Sequence, residues 1–392
     1  MRKEIYKECC IKIAYFNASF KVGQDGVTRV LYKMIQGALE RNHEVIGITS
    51  VLPEQEEQII PMYQVPSVVM PLQKNYRLAL PGYHAFAKVL EKFNPDILHI
   101  NSPCPLGYSA MKYGQFFNIP VVATYHTHFP KYLPYYHLTA LEEWTWKLSR
   151  SLYNNIDRTF VPTRPILDEL VRHNFQELEY LPNGVDGVLF NPNRRSSAWR
   201  KRFGNGEKPI VLFVSRLVWE KDLHVLAEAY KILHPKQNDF EMIVVGDGPA
   251  RKEFQAMMLG AHFLGYQSGE TLAEIFASAD IFAFPSTTET FGLVTLEAMA
   301  SGLVPVAVNV GGAVDIIEEG KSGFFSSAES GKEMAEKIAF LIDNPGQRKV
   351  MSKNAHARSS AFHWENIFEQ LFSSYRELLN IYRQHRSSHD AA

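Results

Sequence analysis

Two glutamates, Glu289 and Glu297, stand eight positions apart at the junction of a predicted strand and a predicted helix. The apolar run Ile281–Phe284 predicts a buried strand that Pro285 ends, and Leu293–Ala300 predicts a helix with a glycine just beyond it. Along a helix, eight residues rise by roughly 12 Å. We therefore expect the two carboxylates to hold opposite ends of an elongated, hydroxyl-rich ligand rather than to share one proton.

The loop between this strand and this helix is also suited to a phosphate. A second apolar run, 304–308, follows the helix, so the segment predicts a parallel α/β unit, in which ligands bind at the carboxyl ends of the strands. Free backbone N–H groups and the positive end of the helix dipole favour anions at a helix N-terminus. The pattern therefore predicts a diphosphate between the two acids.

Two cations, Arg216 and Lys221, directly follow another predicted strand, 210–214. An arginine meets phosphate oxygens with a planar fork and a lysine meets them as a point charge, so the two could neutralise a departing diphosphate. Each is worth roughly 4 kcal/mol at about 4 Å and an effective dielectric constant near 20, before desolvation. Taken alone, this common spacing favours ordinary surface charges beside Glu220 and Asp222, so the assignment depends on the other motifs.

Two further strand ends carry candidate residues in the first half of the chain. His126 and His128 follow the strand 121–125, and because side chains at i and i+2 of an extended chain point to opposite faces, we do not expect them to bind one metal. His126 is either a ligand-facing residue or a buried structural histidine. Gly23 and Gly26 lie between the first strand and the first helix, where glycine lets the backbone approach a phosphate. The spacing is not the G-x-G-x-x-G of dinucleotide sites, so it does not support a nicotinamide or flavin cofactor.

Composition limits the classes of function. A length of 392 residues with 46% hydrophobic and 21% charged residues predicts two globular domains. A net charge of −1 gives no overall electrostatic basis for binding nucleic acid or for tight binding to an anionic membrane. Three cysteines fit neither a disulfide framework nor a metal site, and we find no apolar signal segment or spanning run. We therefore expect a cytoplasmic protein.

Strand-like runs alternate with helical patterns along the whole chain, which predicts parallel sheets flanked by helices. The fold class is α/β, with two doubly wound domains facing each other across a cleft. A stretch rich in proline, glycine and basic residues predicts a linker, and its basic residues are expected to be solvated. The predicted segments are a first domain at 1–184, the linker at 185–208, a second domain at 209–360 and a final helix within 361–392.

Aromatic and basic residues interleave between residues 131 and 150. Interfacial helices have this composition, so one interpretation is a lipid-facing edge of the first domain and peripheral contact with the inner face of a membrane. The interpretation we favour is a helix that packs its aromatic side chains into the core and exposes a basic edge.

Together these motifs resemble the retaining glycosyltransferases of family 4, which have the GT-B fold. The resemblance covers nearly the whole chain and rests most heavily on the two-glutamate segment. The stretch from Tyr125 to Pro134 resembles members that glycosylate diacylglycerol lipids, including plant and bacterial sulfolipid synthases. The other matching segments are Arg216 with Lys221, 246–249, 183–186 and 298–317.

The resemblance implies roles for residues of the second domain. Glu289 would hold hydroxyls of the donor sugar, beside the backbone amides of Phe291 and Gly292. Leu293 and Val294 would line the diphosphate and the ribose of a nucleotide-sugar donor.

It also implies how the nucleotide is held and released. Glu297 would bind the ribose hydroxyls, and Arg216 and Lys221 would stabilise the departing nucleoside diphosphate. His126 would lie by the reacting sugar, and Gly26 would approach the donor phosphates. The family needs no metal and no other cofactor, and its final helix crosses back onto the first domain.

The implied reaction moves a hexose from a UDP- or GDP-linked sugar to a hydroxyl acceptor with retention at the anomeric carbon. Diacylglycerol and a polysaccharide precursor are both open as acceptors. Asp25 departs from the Gly-Gly of many members, and its carboxylate would repel a diphosphate unless it points away. A non-catalytic nucleotide-sugar or carbohydrate binding protein of the same fold is the alternative, and the sequence does not give the oligomeric state.

Overall fold

A computed structural model describes most of the chain, and it groups the chain into two compact units. One unit contains residues 1–182 and 365–392, and the other contains residues 183–364. The residues whose structure is described are 10–21, 26–70, 73–126, 142–233, 235, 239–289 and 291–390.

The first unit is built on a parallel sheet with the strand order β3-β2-β1-β6-β7-β8-β9, beside a short antiparallel hairpin of β4 and β5. Its strands are β1 (Lys12–Ser19), β2 (Glu44–Val51), β3 (Met62–Gln64), β4 (Ser67–Met70), β5 (Gln73–Ala79), β6 (Ile97–Ile100), β7 (Val121–Thr124), β8 (Arg158–Val161) and β9 (Leu178–Tyr180). Its helices are α1 (Gly26–Glu40), α2 (His84–Phe93), α3 (Pro105–Phe117), α4 (Glu142–Tyr153) and α5 (Arg164–Arg172).

The C-terminal helix, Trp364–Asp390, belongs to this first unit from its second residue, Glu365, onward. Its Tyr375 hydroxyl lies 2.5 Å from Nδ1 of His99, a fully buried residue of β6. Phe368 covers Gly37 of α1 so closely that an added Cβ there would stand 2.5 Å from the ring. The expectation that the final helix joins the first domain is confirmed.

The second unit has a six-stranded parallel sheet with the strand order β12-β11-β10-β13-β14-β15. Its strands are β10 (Ile210–Val214), β11 (Glu241–Val245), β12 (His262–Phe263), β13 (Ile281–Phe284), β14 (Val304–Val308) and β15 (Phe324–Ser326). Its helices are α6 (Ser197–Arg200), α7 (Leu223–Leu233), α8 (Arg251–Met257), α9 (Gly269–Ser278), α10 (Leu293–Ala300), α11 (Ala313–Ile316), α12 (Gly331–Asp343) and α13 (Pro345–Ser359).

Both sheets have the doubly wound topology that the sequence predicts. Every residue of β10, β13 and β14 is buried, as expected for parallel strands covered on both faces by helices. The strand order reverses direction between β1 and β6 in the first unit and between β10 and β13 in the second. Open α/β sheets bind ligands at the carboxyl ends of the strands on either side of such a switch point.

The prediction that the basic residues of segment 185–208 are solvated is wrong for Arg200. Arg200 is 6% exposed, and its guanidinium lies 2.8 Å from Oδ2 of Asp280 and donates to the carbonyl of Ser278. Arg195 pairs with Oδ1 of the same carboxylate at 2.7 Å. The partly buried carboxylate of Asp280, directly before β13, therefore binds this segment through two arginines.

The aromatic and basic stretch 131–150 is only partly described, because residues 131–141 lie outside the described ranges. Within α4, Trp146 is buried and stacks on His173 with the ring centroids 3.7 Å apart, whereas Trp144 is 60% exposed. The helix therefore buries one tryptophan and presents the other to solvent. Among the described residues, no helix is long and apolar enough to cross a membrane.

Candidate active site

The second unit places charged residues on both sides of its switch point. The loop after β10 contains Arg216 and Lys221, and the loop after β13 contains Glu289. Because β10 and β13 are parallel neighbours, both loops leave the same edge of the sheet. Residues that are more than 60 positions apart in the chain thus meet where this fold class binds its ligands.

Lys221 and Glu289 form an ion pair, with Nζ of the lysine 2.5 Å from Oε1 of the glutamate. The two side chains are 20% and 27% exposed, so water screens the pair only in part. A hydrogen bond between charged partners is stronger than one between neutral groups. Two residues that the sequence assigned to different parts of a donor, its phosphates and its sugar, are therefore in direct contact.

Hydrogen bonds between the two loops hold this pair in place. Asp222 accepts hydrogen bonds through Oδ2 from both the N–H and the hydroxyl of Thr287, each at 2.8 Å. The hydroxyl of Thr288 donates to the carbonyl of Glu220 at 3.0 Å. The backbones on which the ion pair is built are thus tied together independently of the pair itself.

Glycines allow neighbouring loops at the same edge to approach each other. An added Cβ at Gly312 would stand 1.9 Å from the carbonyl oxygen of Phe291, and one at Gly311 would stand 2.3 Å from that of Glu289. On the other side of β10, Gly246 has a φ of 131° and its added Cβ would stand 1.8 Å from the carbonyl oxygen of Ser215. Any larger residue at these positions would push apart the loops that carry the charged groups.

The helix α10 begins where the sequence predicts an anion site. Gly292 precedes it in a left-handed conformation, with φ of 88°, and the amides of its first turn point away from the helix. Leu293 and Val294 are half-buried and Phe291 is buried. Glu297 lies one turn further along and is 3% exposed, so it is part of the covered face of the helix.

Arg216 is exposed at the carboxyl end of β10. Within the described part of the chain its guanidinium forms no ion pair, in contrast to Lys221. It therefore presents a guanidinium that no described acid neutralises at the edge that Lys221 and Glu289 share.

The first unit presents a polar cluster at its own switch point. Asn17 lies near the end of β1, Asn101 and Ser102 follow β6, and His126 follows β7. The Ser102 hydroxyl donates to Oδ1 of Asn17, and Nε2 of His126 lies 3.1 Å from Oδ1 of Asn101. The four side chains form two hydrogen-bonded pairs at the carboxyl ends of three neighbouring strands.

Burial fixes the charge of His126. The residue is 8% exposed, and this burial lowers its pKa to about 4. Because Oδ1 of Asn101 can only accept, Nε2 of the neutral ring carries the proton and Nδ1 keeps its lone pair. His126 is thus a neutral hydrogen-bonding group at physiological pH and not a cation.

Gly26 is the first residue of α1 and is exposed. An added Cβ there would meet no atom of the described residues within 4 Å. The packing of the described residues therefore gives no reason for a glycine, whereas close approach of a ligand would. Asp25, whose role the sequence leaves open, lies outside the described residues, as do Gly23 and His128.

Sequence reasoning missed several polar residues that the structure brings to these two sites. Asn101 and Ser102 directly follow a predicted strand, which is the same signal that identified His126. Thr287 and Asp222 stand in the same loops as Glu289 and Lys221, but no local pattern predicts that they touch, because their contact joins positions 65 apart.

Two family models match the chain. The model described as "Glycosyltransferase Family 4" matches residues 24–187, and "Glycosyl transferases group 1" matches residues 195–358. The first covers the polar cluster of the first unit except Asn17, and the second covers the charged loops of the second unit.

Named relatives agree with these models. A GDP-mannose-dependent alpha-mannosyltransferase of Corynebacterium glutamicum is 31% identical over 95% of this chain and 90% of its own length. The sulfoquinovosyl transferase SQD2 of Arabidopsis thaliana is 35% identical over 70% of this chain and 55% of its own length. The alpha-monoglucosyldiacylglycerol synthase of Acholeplasma laidlawii is 24% identical over 94% of this chain and 98% of its own length.

A solved structure shows the same fold. Anabaena HepE in complex with UDP aligns over 94% of this chain and all of its own, with a TM-score of 0.77 and 22% identity. On the two family models and the full-length relative, the chain belongs to the group 1, family 4 glycosyltransferases of the GT-B fold and is a glycosyltransferase.

Proposed function

We propose that this enzyme transfers a hexose from a nucleoside-diphosphate sugar to a hydroxyl acceptor with retention of configuration. The observation that carries the proposal is the charged switch point of the second unit. There, Arg216 and the Lys221–Glu289 pair lie at the edge from which α10 begins. Cations and a helix N-terminus suit a diphosphate, and a carboxylate suits the hydroxyls of a sugar.

In this proposal the chain lowers the barrier by holding the donor and stabilising its leaving group. Arg216 and Lys221 neutralise the negative charge that develops on the diphosphate as the glycosidic bond breaks, so no metal is required for that step. Glu289 orients the sugar through its hydroxyls. Glu297 takes the ribose hydroxyls, and the amides of Phe291 to Val294 meet the phosphates.

Retention has a simple basis in this arrangement. The acceptor hydroxyl attacks from the face that the diphosphate leaves, and a phosphate oxygen takes its proton. GDP-mannose carries its sugar in the α configuration, so the name of the Corynebacterium relative describes a reaction with retention. His126, neutral and held by Asn101, would offer a hydrogen bond to the reacting sugar without adding charge.

The acceptor we favour is the hydroxyl of a lipid such as diacylglycerol, as in the name of the Acholeplasma relative. Large apolar side chains of the first unit support this choice, since Trp144 and Leu148 on α4 and Phe116 on α3 are exposed. Exposed aromatic groups suit the interface of a membrane, which would make the enzyme peripheral. Flotation with vesicles containing diacylglycerol tests this, and Trp144→Ala should weaken it; equal flotation of both forms would contradict membrane contact through α4.

The experiment that tests the function incubates the purified enzyme with UDP-glucose, UDP-galactose and GDP-mannose, with and without diacylglycerol in mixed micelles. We expect one donor to release nucleoside diphosphate in an acceptor-dependent way, and the one-bond C1–H1 coupling of the product to give the anomer of the donor. Lys221→Ala should lower the rate at least tenfold. Lys231→Ala, which removes an exposed lysine from α7, is the matched control and should not. No release with any donor, or an inverted product, would overturn the proposal.

A further inference from the structure

Asp222 occupies a left-handed backbone conformation that, apart from glycine, mainly asparagine and aspartate adopt. It ends the short turn Trp219–Lys221 with φ of 53° and ψ of 40°, in the left-handed region, and its N–H donates to the carbonyl of Trp219 at 2.9 Å. Most side chains raise the free energy of this conformation, whereas glycine adopts it freely. A short polar side chain is favoured at this position because its hydrogen bonds offset the cost of the conformation.

The carboxylate makes such hydrogen bonds across the switch point. Oδ2 accepts from the backbone N–H and from the hydroxyl of Thr287, both at 2.8 Å. These bonds are charge-assisted, and together with the Thr288–Glu220 hydrogen bond they join the loop after β10 to the loop after β13 without the Lys221–Glu289 pair. Glycine would suit the backbone of residue 222 better, but it would remove these two hydrogen bonds between Asp222 and Thr287, which we call the strap.

The position of the strap explains what it does. Asp222 is the direct neighbour of Lys221, and Thr287 stands two residues before Glu289. The long side chain of lysine is flexible, so the separation of the two backbones decides which of its conformers brings the amine within 2.5 Å of Glu289. The strap also directs the carboxylate of Asp222 to Thr287, which keeps its negative charge engaged instead of free to repel a diphosphate.

We infer that Asp222 is a positioning residue that holds Lys221 and Glu289 in register for transfer. The inference rests on the proposed function for its kinetic consequence, but the register itself is a property of the enzyme without substrate. Small displacements of groups that act in the transition state reduce turnover more than they reduce binding. Loss of the strap should therefore lower kcat about tenfold or more, with KM changed by less than about threefold.

The variants separate positioning from folding. Asp222→Gly removes the strap and relieves the backbone, so the thermal midpoint should not fall. Asp222→Asn tolerates the same conformation and can still accept from the N–H of Thr287, so it should recover part of kcat. Thr287→Val removes only the hydroxyl bond. Glu329→Gly is the matched control, because Glu329 is an exposed acid of the same unit with φ of 59°.

A second measurement does not depend on activity. Limited acetylation with acetic anhydride, followed peptide by peptide in the mass spectrometer, reports how often the amine of Lys221 is free. Lys221 should be acetylated several-fold faster in Asp222→Gly than in the wild type, with the exposed Lys231 as the internal reference. Glu329→Gly should leave the ratio of the two lysines unchanged.

The outcomes distinguish this inference from the proposed function. An unchanged Lys221 to Lys231 ratio in Asp222→Gly overturns the positioning role, whatever the activity. A kcat loss that Glu329→Gly shares, or that follows a lowered thermal midpoint, also overturns it. If the wild type transfers no sugar from any donor, the proposed function fails, while the labelling ratio still decides whether Asp222 sets the register.

Discussion

The ion pair between Lys221 and Glu289 leads to a prediction that runs against the usual effect of removing a site residue. A nucleoside diphosphate without a sugar can use the lysine but offers nothing to the glutamate. To bind it fully, Lys221 must leave a partner that is 2.5 Å away. We expect Glu289→Gln to bind UDP or GDP more tightly than the wild type, although the same change slows sugar transfer at least tenfold.

The geometry gives the size of the effect. At 2.5 Å and an effective dielectric constant near 20 the Coulomb attraction is about 7 kcal/mol, before desolvation and side-chain ordering offset most of it. Net values are about 1.5–3 kcal/mol for charged hydrogen bonds and about 0–1 kcal/mol for exposed pairs. This pair is intermediate in exposure, so releasing the lysine should be worth about 1–2 kcal/mol. That corresponds to roughly 5- to 30-fold tighter binding.

Isothermal titration calorimetry with UDP and with GDP measures this change. Glu318→Gln is the matched control, because Glu318 pairs with Lys321 at 2.6 Å on the exposed surface of the same unit and should leave the affinity unchanged. Salt should weaken the binding of the variant more than that of the wild type, since its lysine is free to be screened. Equal or weaker binding of both nucleotides by Glu289→Gln would show that the glutamate does not compete with the diphosphate.

Three further predictions concern stability. Burial lowers the pKa of His126 to about 4. Between pH 6.5, the ordinary pKa of histidine, and pH 4, the unfolded chain therefore binds a proton that the folded chain does not. The free energy of unfolding should fall as the pH falls through this range. In urea unfolding at pH 7 and pH 4.5, His126→Gln should reduce that loss by about 2 kcal/mol. Gly312→Ala should destabilise the second unit by about 2 kcal/mol or more, because the added Cβ has no room. Gly346 lies in open space at the start of α13, so Gly346→Ala should be neutral or stabilising. Arg200→Ala should cost about 3 kcal/mol, because Arg200 is buried and its loss leaves the partly buried carboxylate of Asp280 short of a partner; Arg195→Ala should cost less than about 1 kcal/mol.

Each of these has a contrary result. If His126→Gln loses as much stability between pH 7 and pH 4.5 as the wild type, other groups cause the loss. One such group is the fully buried His99, whose pKa burial also lowers. Equal unfolding free energies for the two glycine variants would mean that the loop carrying Phe291 yields easily. Equal losses for the two arginine variants would mean that exposure does not decide the value of the pair.

The elements around the second switch point could be predicted to the residue. The bounds of β13, α10 and β14 follow from the sequence because buried parallel strands are continuous apolar runs, and because proline and glycine mark their ends. The helix α3 could not be predicted in this way. Two glycines inside it, Gly107 and Gly114, lower its helix propensity, but an added Cβ would stand 2.6 Å from Ser102 and 2.2 Å from Val121. The demands of packing against β6 and β7 override local preference there.

The candidate site was predictable to the extent that strand ends are predictable. Arg216, Lys221, Glu289 and His126 each follow a recognisable strand, and parallel topology then brings strand ends to one edge. Which of those residues touch is a different matter. The contact between Lys221 and Glu289 and the strap between Asp222 and Thr287 depend on loop conformations set by glycine approaches and a left-handed turn. No local pattern in either segment specifies its partner.

The two switch points have the same topology and opposite chemistry, and this difference supports the division of labour in the proposed function. In the first unit the strand ends carry neutral groups, since Asn17 and Asn101 are amides and the buried His126 is uncharged. In the second unit they carry a guanidinium, an ammonium and a carboxylate. A diphosphate gains from fixed cations, whereas a reacting sugar and an incoming hydroxyl need donors and acceptors without net charge. A neutral hydroxyl can be bound by uncharged groups, whereas a dianion needs a counter-charge. If the donor phosphates lay at the first edge, the leaving group would have no counter-charge there. We therefore assign the donor phosphates to the second unit.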